Sequence, residues 1–484
     1  MDAPSTQAGD RLTGLDTSFL RLEDGRAHMH VASLTVFDGP PPPFGDLCDH
    51  IESRLDLVPR YRQRVAEVPA QQGRPVWVDD PHFNLRYHLR HTALPHPGGD
   101  AELRRLAGRV FALRLDRDRP LWEIWMVEGL KGGRWAMLSK THHALVDGVS
   151  GVDITTILYD LDPDPPRPPA PTRRWEPQPM PTSAQLLARA VTDRLTQPRA
   201  IVDELVAFTH GPRERLGRLA RRVRDMGGFA LVGLNPVPLT PLNVEIGPHR
   251  RYAWVDADLA EFKQIKNHLG GTVNDVVLAA VSGALGRFLR RRGFDTEGVV
   301  LRAMVPVSVR AADEHGALGN KVAAMWAPLP VGVEDPVAQF AEVRGAMSHL
   351  KESGQAVGAQ KLTDLLGFAP PTILSQAMRL APHQRYCNVV VTNVPGPQFP
   401  LYVLGRRLRS LYPVVPVFDR LAVNIAVLSY DGRLGFGLLG DYDAMSDLDD
   451  LAGDLRGAIA ALLSETTPTA PTRPRRFART AGPA

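Results

Sequence analysis

The sequence predicts a protein of the α/β (α+β) class, with helices and strands mixed in both of two domains of similar size. The chain has 484 residues, and at roughly 100–200 residues per domain this length favours two domains or more. Strand-like and helix-like segments occur in both halves. A proline-rich segment, residues 162–182 (DPDPPRPPAPTRRWEPQPMPT), lies between the halves and has the composition of a semi-rigid linker.

Composition excludes several classes of protein. The apolar fraction is 44% and the charged fraction is 23%, both near the averages of globular proteins, so a wholly disordered or fibrous chain is excluded. The net charge of +4 is too small to indicate a nucleic-acid partner by itself. Cys48 and Cys387 are the only cysteines, which predicts two buried free thiols in a reducing compartment rather than a disulfide framework or a Cys-rich metal site.

The N-terminus does not have the pattern of a secretory signal, because no basic region precedes an apolar run there. Nowhere do about 18 consecutive apolar residues occur, so no helix is expected to cross a membrane. We therefore expect a cytoplasmic protein that is soluble or peripherally associated with a lipid surface.

In the first half, the segment His30–Phe37 (HVASLTVF) predicts a strand that ends at an Asp-Gly turn and a proline run. Residues 99–114 predict a helix, because their apolar side chains fall on one face. Trp135–Ser139 predicts a short strand that continues into a polar segment, and a second helix is expected over residues 152–158.

In the second half, the clearest element is the helix Thr272–Leu289, whose apolar residues recur at i, i+3 and i+4. The dipeptide Asp431-Gly432 between two apolar runs is a strong hairpin signal. The remaining predicted elements are a strand at Arg250–Trp254, a β-like run at Val299–Val309, a strand at Val389–Thr392 that stops at Asn393, hairpin strands at Ala422–Leu428 and Leu434–Leu439, and a helix over 446–463.

Two further segments have two interpretations each. Residues 211–225 carry six arginines and two acidic residues, which favours a solvated helix face over a helix on a membrane surface. Residues 361–380 are apolar and are broken by Pro370-Pro371, and their side chains are expected to form core rather than the wall of an apolar tunnel.

The segment with a chemical signature is HHALVDG, residues 142–148. A strand delivers the adjacent residues His142 and His143, Asp147 follows four residues after the second histidine, and Gly148 permits a tight turn. Histidine can accept a proton near neutral pH. An alcohol, whose pKa is about 16, needs such a base to become a nucleophile, and a well-placed base contributes roughly 10²–10⁴-fold in rate.

The segment has three other interpretations. Two histidines and an aspartate are possible metal ligands, but adjacent strand residues point to opposite faces, which disfavours one shared ion. A Ser-His-Asp triad is disfavoured because no Gly-x-Ser-x-Gly elbow is present. Purely structural histidines stay an open alternative on composition alone.

The HHALVDG segment matches the HHxxxDG signature of the bacterial wax ester synthase/diacylglycerol acyltransferases. The wider superfamily of CoA-dependent acyltransferases and peptide-synthetase condensation domains shares its His-x-x-x-Asp core, so the short motif alone does not separate these families. Other segments resemble motifs of the acyltransferase family in the same order, from about residue 11 to about residue 463. They are Leu15-Asp16 with Phe19-Leu20, Met29-His30-Val31, Pro120-Leu121-Trp122, Pro241-Leu242-Asn243 with Arg250-Arg251, Thr272 to Ala279, Val305 to Arg310, and Thr392 to Pro397.

The resemblance implies a fold and a domain division. The fold would be two chloramphenicol-acetyltransferase-like domains that form a pseudo-dimer around a central channel. The expected division is a flexible tail at 1–10, an N-terminal acyltransferase domain at 11–161, a Pro-rich linker and basic helical crossover at 162–240, a C-terminal acyltransferase-like domain at 241–464, and a disordered basic tail at 465–484.

The resemblance also implies an activity. The chain would transfer a long-chain acyl group from acyl-CoA to diacylglycerol, to a long-chain alcohol, or to both. His143 would be the general base, His142 would support the loop, and Asp147 would pair with an arginine. The candidates for that arginine are Arg60, Arg62, Arg64 and Arg310.

Three residues of family motifs are candidates for contact with substrate. Asn274 and Asn393 carry amide donors suited to an oxyanion, although Asn393 next to Pro395-Gly396 equally fits a turn residue. Trp122 is expected in the core or in the wall of a tunnel rather than among the reacting groups. Asp275 is expected to cap a helix, because Thr272-x-x-Asp275 resembles a capping box.

No cofactor and no metal are implied, since acyl-CoA is a substrate. The expected partners are acyl-CoA, a lipid alcohol and the surface of a membrane or lipid inclusion, without nucleic acid. The alternatives are a condensing enzyme that takes acyl groups from carrier proteins, and an inactive lipid-binding or lipid-droplet protein.

Overall fold

The computed structural model describes residues 10–69, 73–146, 158–165, 175–190, 192, 236–308, 322–352, 386–418 and 420–466. Several sequence predictions lie outside these residues. They are Asp147 and Gly148, the helix at 152–158 except its last residue, the basic segment at 211–225, the apolar segment at 361–380, and nearly all of both tails.

Within the described residues, the strands form two six-stranded sheets and one small two-stranded sheet. The first sheet contains β1 (His30–Phe37), β4 (Leu89–Ala93), β5 (Trp122–Leu130), β6 (Arg134–His142), β11 (Tyr402–Val403) and β12 (Arg406–Val414). The second contains β7 (Arg250–Asp258), β8 (Leu301–Ser308), β9 (Val322–Leu329), β10 (Val389–Pro395), β13 (Val423–Tyr430) and β14 (Arg433–Asp441). The small sheet pairs β2 (Gln63–Ala66) with β3 (Val76–Asp79).

Helices cover the sheets. They are α1 (Gly14–Leu22), α2 (Phe44–Glu52), α3 (Leu85–His88), α4 (Asp100–Ala112), α5 (His143–Val146), α6 (Leu259–Leu269), α7 (Val273–Arg291), α8 (Pro336–Glu352) and α9 (Leu448–Ser464). Two short 3₁₀ turns lie at Leu55–Leu57 and Pro59–Arg62, and residues 183–190 are also helical.

Most of the predicted elements are confirmed. The strand at His30–Phe37 has the predicted bounds, and the helix at 99–114 corresponds to α4. The helix predicted at Thr272–Leu289 is α7, and Thr272 is its N-cap. The hairpin between β13 and β14 turns through Asp431 and Gly432, both at positive φ, as a two-residue type I′ turn requires.

One predicted boundary was wrong. The strand expected to stop at Asn393 continues to Pro395 as β10, which pairs in parallel with β13 as far as Pro395 opposite Ser429. On its other side β10 pairs with β8 only at Val389 and Val390. Among the described residues the last part of β10 therefore pairs with β13 alone, and a proline is tolerated in a strand where one side is unpaired.

The first sheet contains strands from both halves of the sequence. Its order is β11-β12-β1-β6-β5-β4, and β12 lies antiparallel to β1, from Ala32 opposite Val414 to Phe37 opposite Leu408. The predicted domain boundaries at residues 161 and 241 therefore do not coincide with the division into sheets, because residues 402–414 lie after residue 241 but belong to the first sheet. No local pattern in residues 402–414 indicates which sheet they join.

The two sheets meet where β14 crosses β12, and this crossing requires glycine. A Cβ atom placed on Gly435 would lie 2.0 Å from the carbonyl oxygen of Leu411, and one on Gly437 would lie 1.8 Å from that of Pro413. Both distances are far shorter than the 3.0 Å within which non-bonded atoms essentially never approach a Cβ atom. The backbones can approach this closely only because glycine has no side chain. We call this crossing the seam.

The core of the second half forms around α7. Its apolar face is fully buried against the second sheet and against α8 and α9. The helix begins with the predicted capping box, in which Asp275 N donates to Thr272 Oγ1 (3.3 Å) and Thr272 N donates to Asp275 Oδ2 (2.8 Å). Asp275 is thus a structural cap, as expected.

Within the described residues, no single helix is both long enough and apolar enough to cross a membrane. The helices α6 and α7 have sufficient length and composition only when taken together, and they are bent by 97° at their junction. Their apolar residues lie in the core of the second half.

The two cysteines are buried and free, as predicted. They lie in different hydrophobic clusters, Cys48 in the first half and Cys387 beside β10. Burial raises the pKa of the Cys387 thiol to about 12, although the nearby Arg302 opposes the shift. A thiol with so high a pKa stays protonated and is a poor nucleophile.

Candidate active site at the end of strand β6

The two adjacent histidines lie where a buried strand passes into a helix. β6 ends at His142 and α5 begins at His143. The amide of His142 donates to Leu121 O (2.9 Å), and the amide of His143 donates to Met29 O (2.8 Å). The backbone of both histidines is thus held by the segments that precede β5 and β1. Asp147 and Gly148 lie outside the described residues.

His142 is 1% exposed, and both of its ring nitrogens face protein groups. Its Nδ1 accepts a hydrogen bond from the amide of Ala144 (3.0 Å), so the proton of the neutral ring is on Nε2. Nε2 faces Glu23 Oε1 at 3.5 Å. His142 therefore holds the first turn of α5 in place, and its imidazole is shielded from solvent.

Glu23 is a site residue that no sequence pattern predicts. Its side chain is 2% exposed, and its carboxylate also accepts hydrogen bonds from Met29 N (3.0 Å) and from Arg117 Nη2 (2.8 Å). Burial raises the pKa of Glu23, but hydrogen bonds from His142 and Arg117 and the positive charge of Arg117 outweigh burial and hold that pKa well below its usual range. No local signal marks Glu23, because it lies between two segments of the family pattern.

His143 lies against an aromatic ring. Its imidazole stacks on Phe19 of α1, with ring centroids 4.1 Å apart and an interplanar angle of 28°. Unlike His142, His143 is partly exposed. The two histidines therefore have separate surroundings, with His142 in the protein interior and His143 accessible at the end of the sheet.

Behind the motif, a buried lysine joins β6 to the end of α4. Lys140 is fully buried, and its Nζ forms an ion pair with Glu123 Oε1 (2.6 Å) and donates to the carbonyl oxygens of Val110 (3.0 Å) and Leu113 (2.7 Å). Burial lowers the pKa of Lys140, and the Glu123 carboxylate opposes that shift. The cation caps the carbonyl end of α4, where positive charge is favourable. This network fixes α4 against the strand that carries His142.

Trp122 is not placed to contact a substrate. It is 1% exposed, and its indole Nε1 donates to Tyr61 O (2.8 Å). Its ring stacks on His88 at 4.6 Å, and His88 Nδ1 bonds to Trp122 O (2.8 Å). The indole N–H is therefore already used and the ring is buried, so Trp122 lies in the core, the first of the two places expected for it, and its N–H is not free to donate to an oxyanion.

Asn274 and Asn393 are brought together although 119 residues separate them. Asn274 is in the first turn of α7, Asn393 is on β10, and Asn393 Nδ2 donates to Asn274 Oδ1 at 3.3 Å. Both residues are partly exposed. Because Oδ1 of Asn274 accepts this bond, its Nδ2 group points elsewhere and can donate to another acceptor.

Comparison with known proteins identifies the family. Residues 12–277 match the profile described as "Wax ester synthase/diacylglycerol acyltransferase catalytic domain", and residues 318–463 match the "WS/DGAT C-terminal domain". The chain belongs to the wax ester synthase/diacylglycerol acyltransferase family. It is therefore an acyltransferase.

The relatives of this acyltransferase are similar over nearly their whole length. A Mycobacterium tuberculosis H37Rv protein named "Probable diacyglycerol O-acyltransferase tgs1" is 33% identical over 465 residues, which are 94% of this chain and 96% of the relative. The solved structure of the wax ester synthase/diacylglycerol acyltransferase from Marinobacter aquaeolei VT8 superposes with a TM-score of 0.68 at 26% identity, covering 94% of this chain and 99% of the other.

The predicted fold class is confirmed by the same comparisons. The first condensation domain of the calcium-dependent antibiotic synthetase superposes with a TM-score of 0.55 at 17% identity, covering 95% of this chain and 97% of the other. At that identity the likeness concerns the fold alone. This acyltransferase therefore has the two-domain, chloramphenicol-acetyltransferase-like fold that these proteins share.

The arginine partner of Asp147 stays a prediction. Arg310 lies outside the described residues, as Asp147 does. The other three candidates have different partners: Arg60 pairs with Asp10 (3.2 Å), Arg62 pairs with Asp56 (2.5 Å), and Arg64 donates to the sulfur of Met180 (3.5 Å).

A charged groove of about 580 Å³ lies at the seam, but it is far from His143. Its lining includes Asp38, Asp256, Arg407 and Arg433. His142 is opposite His30 at the start of β1, whereas the groove reaches Val36 near the end of that strand. At about 3.4 Å per residue the two ends lie roughly 20 Å apart. A lining of charged side chains also does not suit an acyl chain.

Proposed function

We propose that this acyltransferase moves a long-chain acyl group from acyl-CoA to the hydroxyl of diacylglycerol, of a long-chain alcohol, or of both, with His143 as the general base. The observation that carries this proposal is the placement of His143. It is partly exposed, its backbone is held by Met29 O, and its ring is stacked on Phe19. The names of the relatives support the substrate classes.

The proposed reaction needs no covalent acyl-enzyme. The His143 imidazole takes the proton of the substrate hydroxyl while that oxygen attacks the thioester carbonyl carbon. The C–O bond forms and a tetrahedral intermediate with a negatively charged oxygen results. Its collapse breaks the C–S bond, and the imidazolium gives its proton to the departing CoA thiolate. The products are an ester and CoA, and no cofactor or metal is required by this balance.

We further propose that Asn274 donates a hydrogen bond to the oxyanion of the intermediate and that Asn393 orients it. The hydrogen bond from Asn393 Nδ2 to Asn274 Oδ1 supports this division of roles. This hydrogen bond fixes the orientation of the Asn274 carboxamide, so that its Nδ2 group is available to donate to the oxyanion. The positive end of the α7 dipole lies at the same place and favours negative charge.

Asn274→Asp is expected to reduce kcat by about 10²-fold, because the donor becomes a negatively charged acceptor of the same shape. An aspartate in the first turn of a helix is favourable, so the melting temperature should not fall. Asn267→Asp on the exposed face of α6 is the matched control and should leave kcat unchanged. An unaltered kcat in Asn274→Asp would remove Asn274 from the oxyanion site.

The test of the overall proposal is a product assay on the purified chain. We would supply palmitoyl-CoA with either hexadecanol or a diacylglycerol and measure CoA release and lipid ester together. Equal amounts of CoA and ester are expected, and the ratio between acceptors ranks them. CoA release without ester would mean hydrolysis. No turnover with any lipid alcohol would favour a carrier-protein donor or an inactive lipid-binding protein.

A flotation measurement on the same reaction mixtures tests whether the protein associates peripherally with lipid. The ester products are insoluble in water, so we propose that the enzyme works at the surface of a membrane or lipid inclusion. The basic segment 211–225, which lies outside the described residues, is the candidate contact. The fraction of the protein that floats with the lipid should be large at low salt and should fall at high salt, because salt screens the attraction between basic side chains and a charged lipid surface. A chain that never floats would contradict this part of the proposal.

A further inference from the structure

Arg250 is a buried cation at the boundary between the two halves of the chain. Its side chain is 3% exposed, and it begins β7. Nη1 donates to Gly247 O (2.6 Å) and to His249 O (2.7 Å), and it lies 3.7 Å from Asp441 Oδ2. Nη2 donates to the carbonyl oxygen of Arg26, which belongs to the first half. One guanidinium thus joins the second half to the loop at residues 23–29.

That loop is tightly bonded within itself. Asp24 Oδ1 accepts from the amides of Arg26 and Ala27, both at 2.7 Å, and Asp24 N donates to Ala27 O (3.1 Å). Glu23 Oε1 accepts from Met29 N (3.0 Å), which closes the loop end to end. A loop with these internal bonds moves as a unit, so a contact at Arg26 constrains Glu23 and Met29 as well.

The same loop contacts both histidines of the motif. Met29 O accepts from the amide of His143 (2.8 Å), and Glu23 Oε1 faces His142 Nε2 (3.5 Å). Arg250 therefore connects to the His142–His143 pair through one loop, although more than 100 residues separate them in the sequence.

We propose that Arg250 is a positioning residue that fixes the loop at residues 23–29 from across the domain boundary and thereby places His143 for catalysis. This inference rests on the proposed role of His143 as the base. It assigns a role to Arg250, which the proposed reaction does not use. The alternative is that Arg250 only secures the start of β7, since its other partners are Gly247, His249 and Asp441.

Arg250→Lys separates these two roles. A lysine keeps the positive charge beside Asp441 but has a single ammonium group, so it cannot bond Gly247, His249 and Arg26 at once in the manner of a guanidinium. Arg251→Lys is the matched control at the next position. Arg251 is partly exposed and contacts Tyr442, with Nε donating to Tyr442 O (2.7 Å).

We expect kcat of Arg250→Lys to fall by about 10- to 100-fold with little change in KM, because a small displacement of a catalytic group costs this much. Hydrogen exchange of the amides of Ala27, Met29 and His143 should become faster. Arg251→Lys should match the unsubstituted chain in both measurements. Arg250→Lys and Glu23→Gln should be less than additive in kcat, since both act through the same loop.

Normal kcat in Arg250→Lys would overturn the proposal, as would faster exchange confined to residues 247–250 and 441. If Arg250→Lys does not fold, Arg250→Gln is the second variant; it also removes the charge beside Asp441, and the same exchange at Ala27, Met29 and His143 is measured. The exchange measurement does not depend on turnover. If the unsubstituted chain folds but has no activity, the proposed function is contradicted. Hydrogen exchange still tests the link between Arg250 and the loop in that case.

Discussion

Replacing His143 by alanine is expected to reduce kcat/KM for ester formation by about 10²–10⁴-fold, the contribution of a well-placed general base. The fold should survive. The hydrogen bond from residue 143 to Met29 O is made by the backbone and is therefore kept in the variant, whereas the stacking of the imidazole on Phe19 is lost. The measurement is CoA release and ester formation with palmitoyl-CoA and the better acceptor, at equal protein concentrations and with matched circular dichroism spectra.

His268→Ala is the control for this variant, because His268 is exposed on α6 in the other half of the chain. It should retain full activity. Ester formation that survives in a folded His143→Ala protein would refute the assignment of His143 as the base. A loss of activity accompanied by unfolding would be uninformative, and His143→Gln, which is closer in size, would then replace it.

Glu23→Ala is expected to lower the free energy of unfolding by about 3 kcal/mol, because it removes buried hydrogen bonds to a charged group, each worth about 1.5–3 kcal/mol. Glu23 is buried against His142, and the change removes the acceptor of Met29 N as well. Arg117 is 37% exposed and can turn to solvent, which limits the cost. Urea unfolding measures the difference. Glu67→Ala, at an exposed position without these contacts, should be nearly neutral.

The stabilisation by Glu23 has a defined pH dependence. Because the folded-state pKa of Glu23 is held below its ordinary value, the ionised carboxylate stabilises the fold above the unfolded-state pKa of about 4.3. This contribution is lost as the pH falls through that value towards the folded-state pKa. The difference in stability between the unsubstituted chain and Glu23→Gln should therefore be constant near neutral pH and shrink below about pH 4.5. A difference that grows with acid would contradict the assignment.

Much of the local structure could be predicted because it depends on residues close together in sequence. The capping box of Thr272 and Asp275 spans three residues, and the turn at Asp431-Gly432 depends on two. The alternation in β1 and the apolar stripe of α7 follow the periods of a strand and a helix. The HHALVDG segment is short enough to be recognised as it stands, which is why His142 and His143 could be named without a structure.

The site could be predicted only in part, since its supporting residues come from distant segments. Trp122 was a candidate for the core or for a tunnel wall, and only the structure shows that its indole N–H donates to Tyr61 O and that its ring stacks on His88. Both partners are far from Trp122 in the sequence. Glu23 was missed because an acidic residue after a helix has no distinctive local pattern. Its importance comes from burial beside His142.

The sequence by itself determined the family, the α/β class, most strand and helix positions, and the pair of histidines that the proposed chemistry needs. Only the tertiary structure decided that β12 joins the first sheet, that Gly435 and Gly437 let the sheets cross, and that Arg250 contacts the loop around Arg26. The physical reason is the distance in sequence over which each kind of interaction acts. Hydrogen-bond periods and turn preferences act over a few residues and leave a pattern in the sequence, whereas packing and buried polar contacts depend on which distant segments meet.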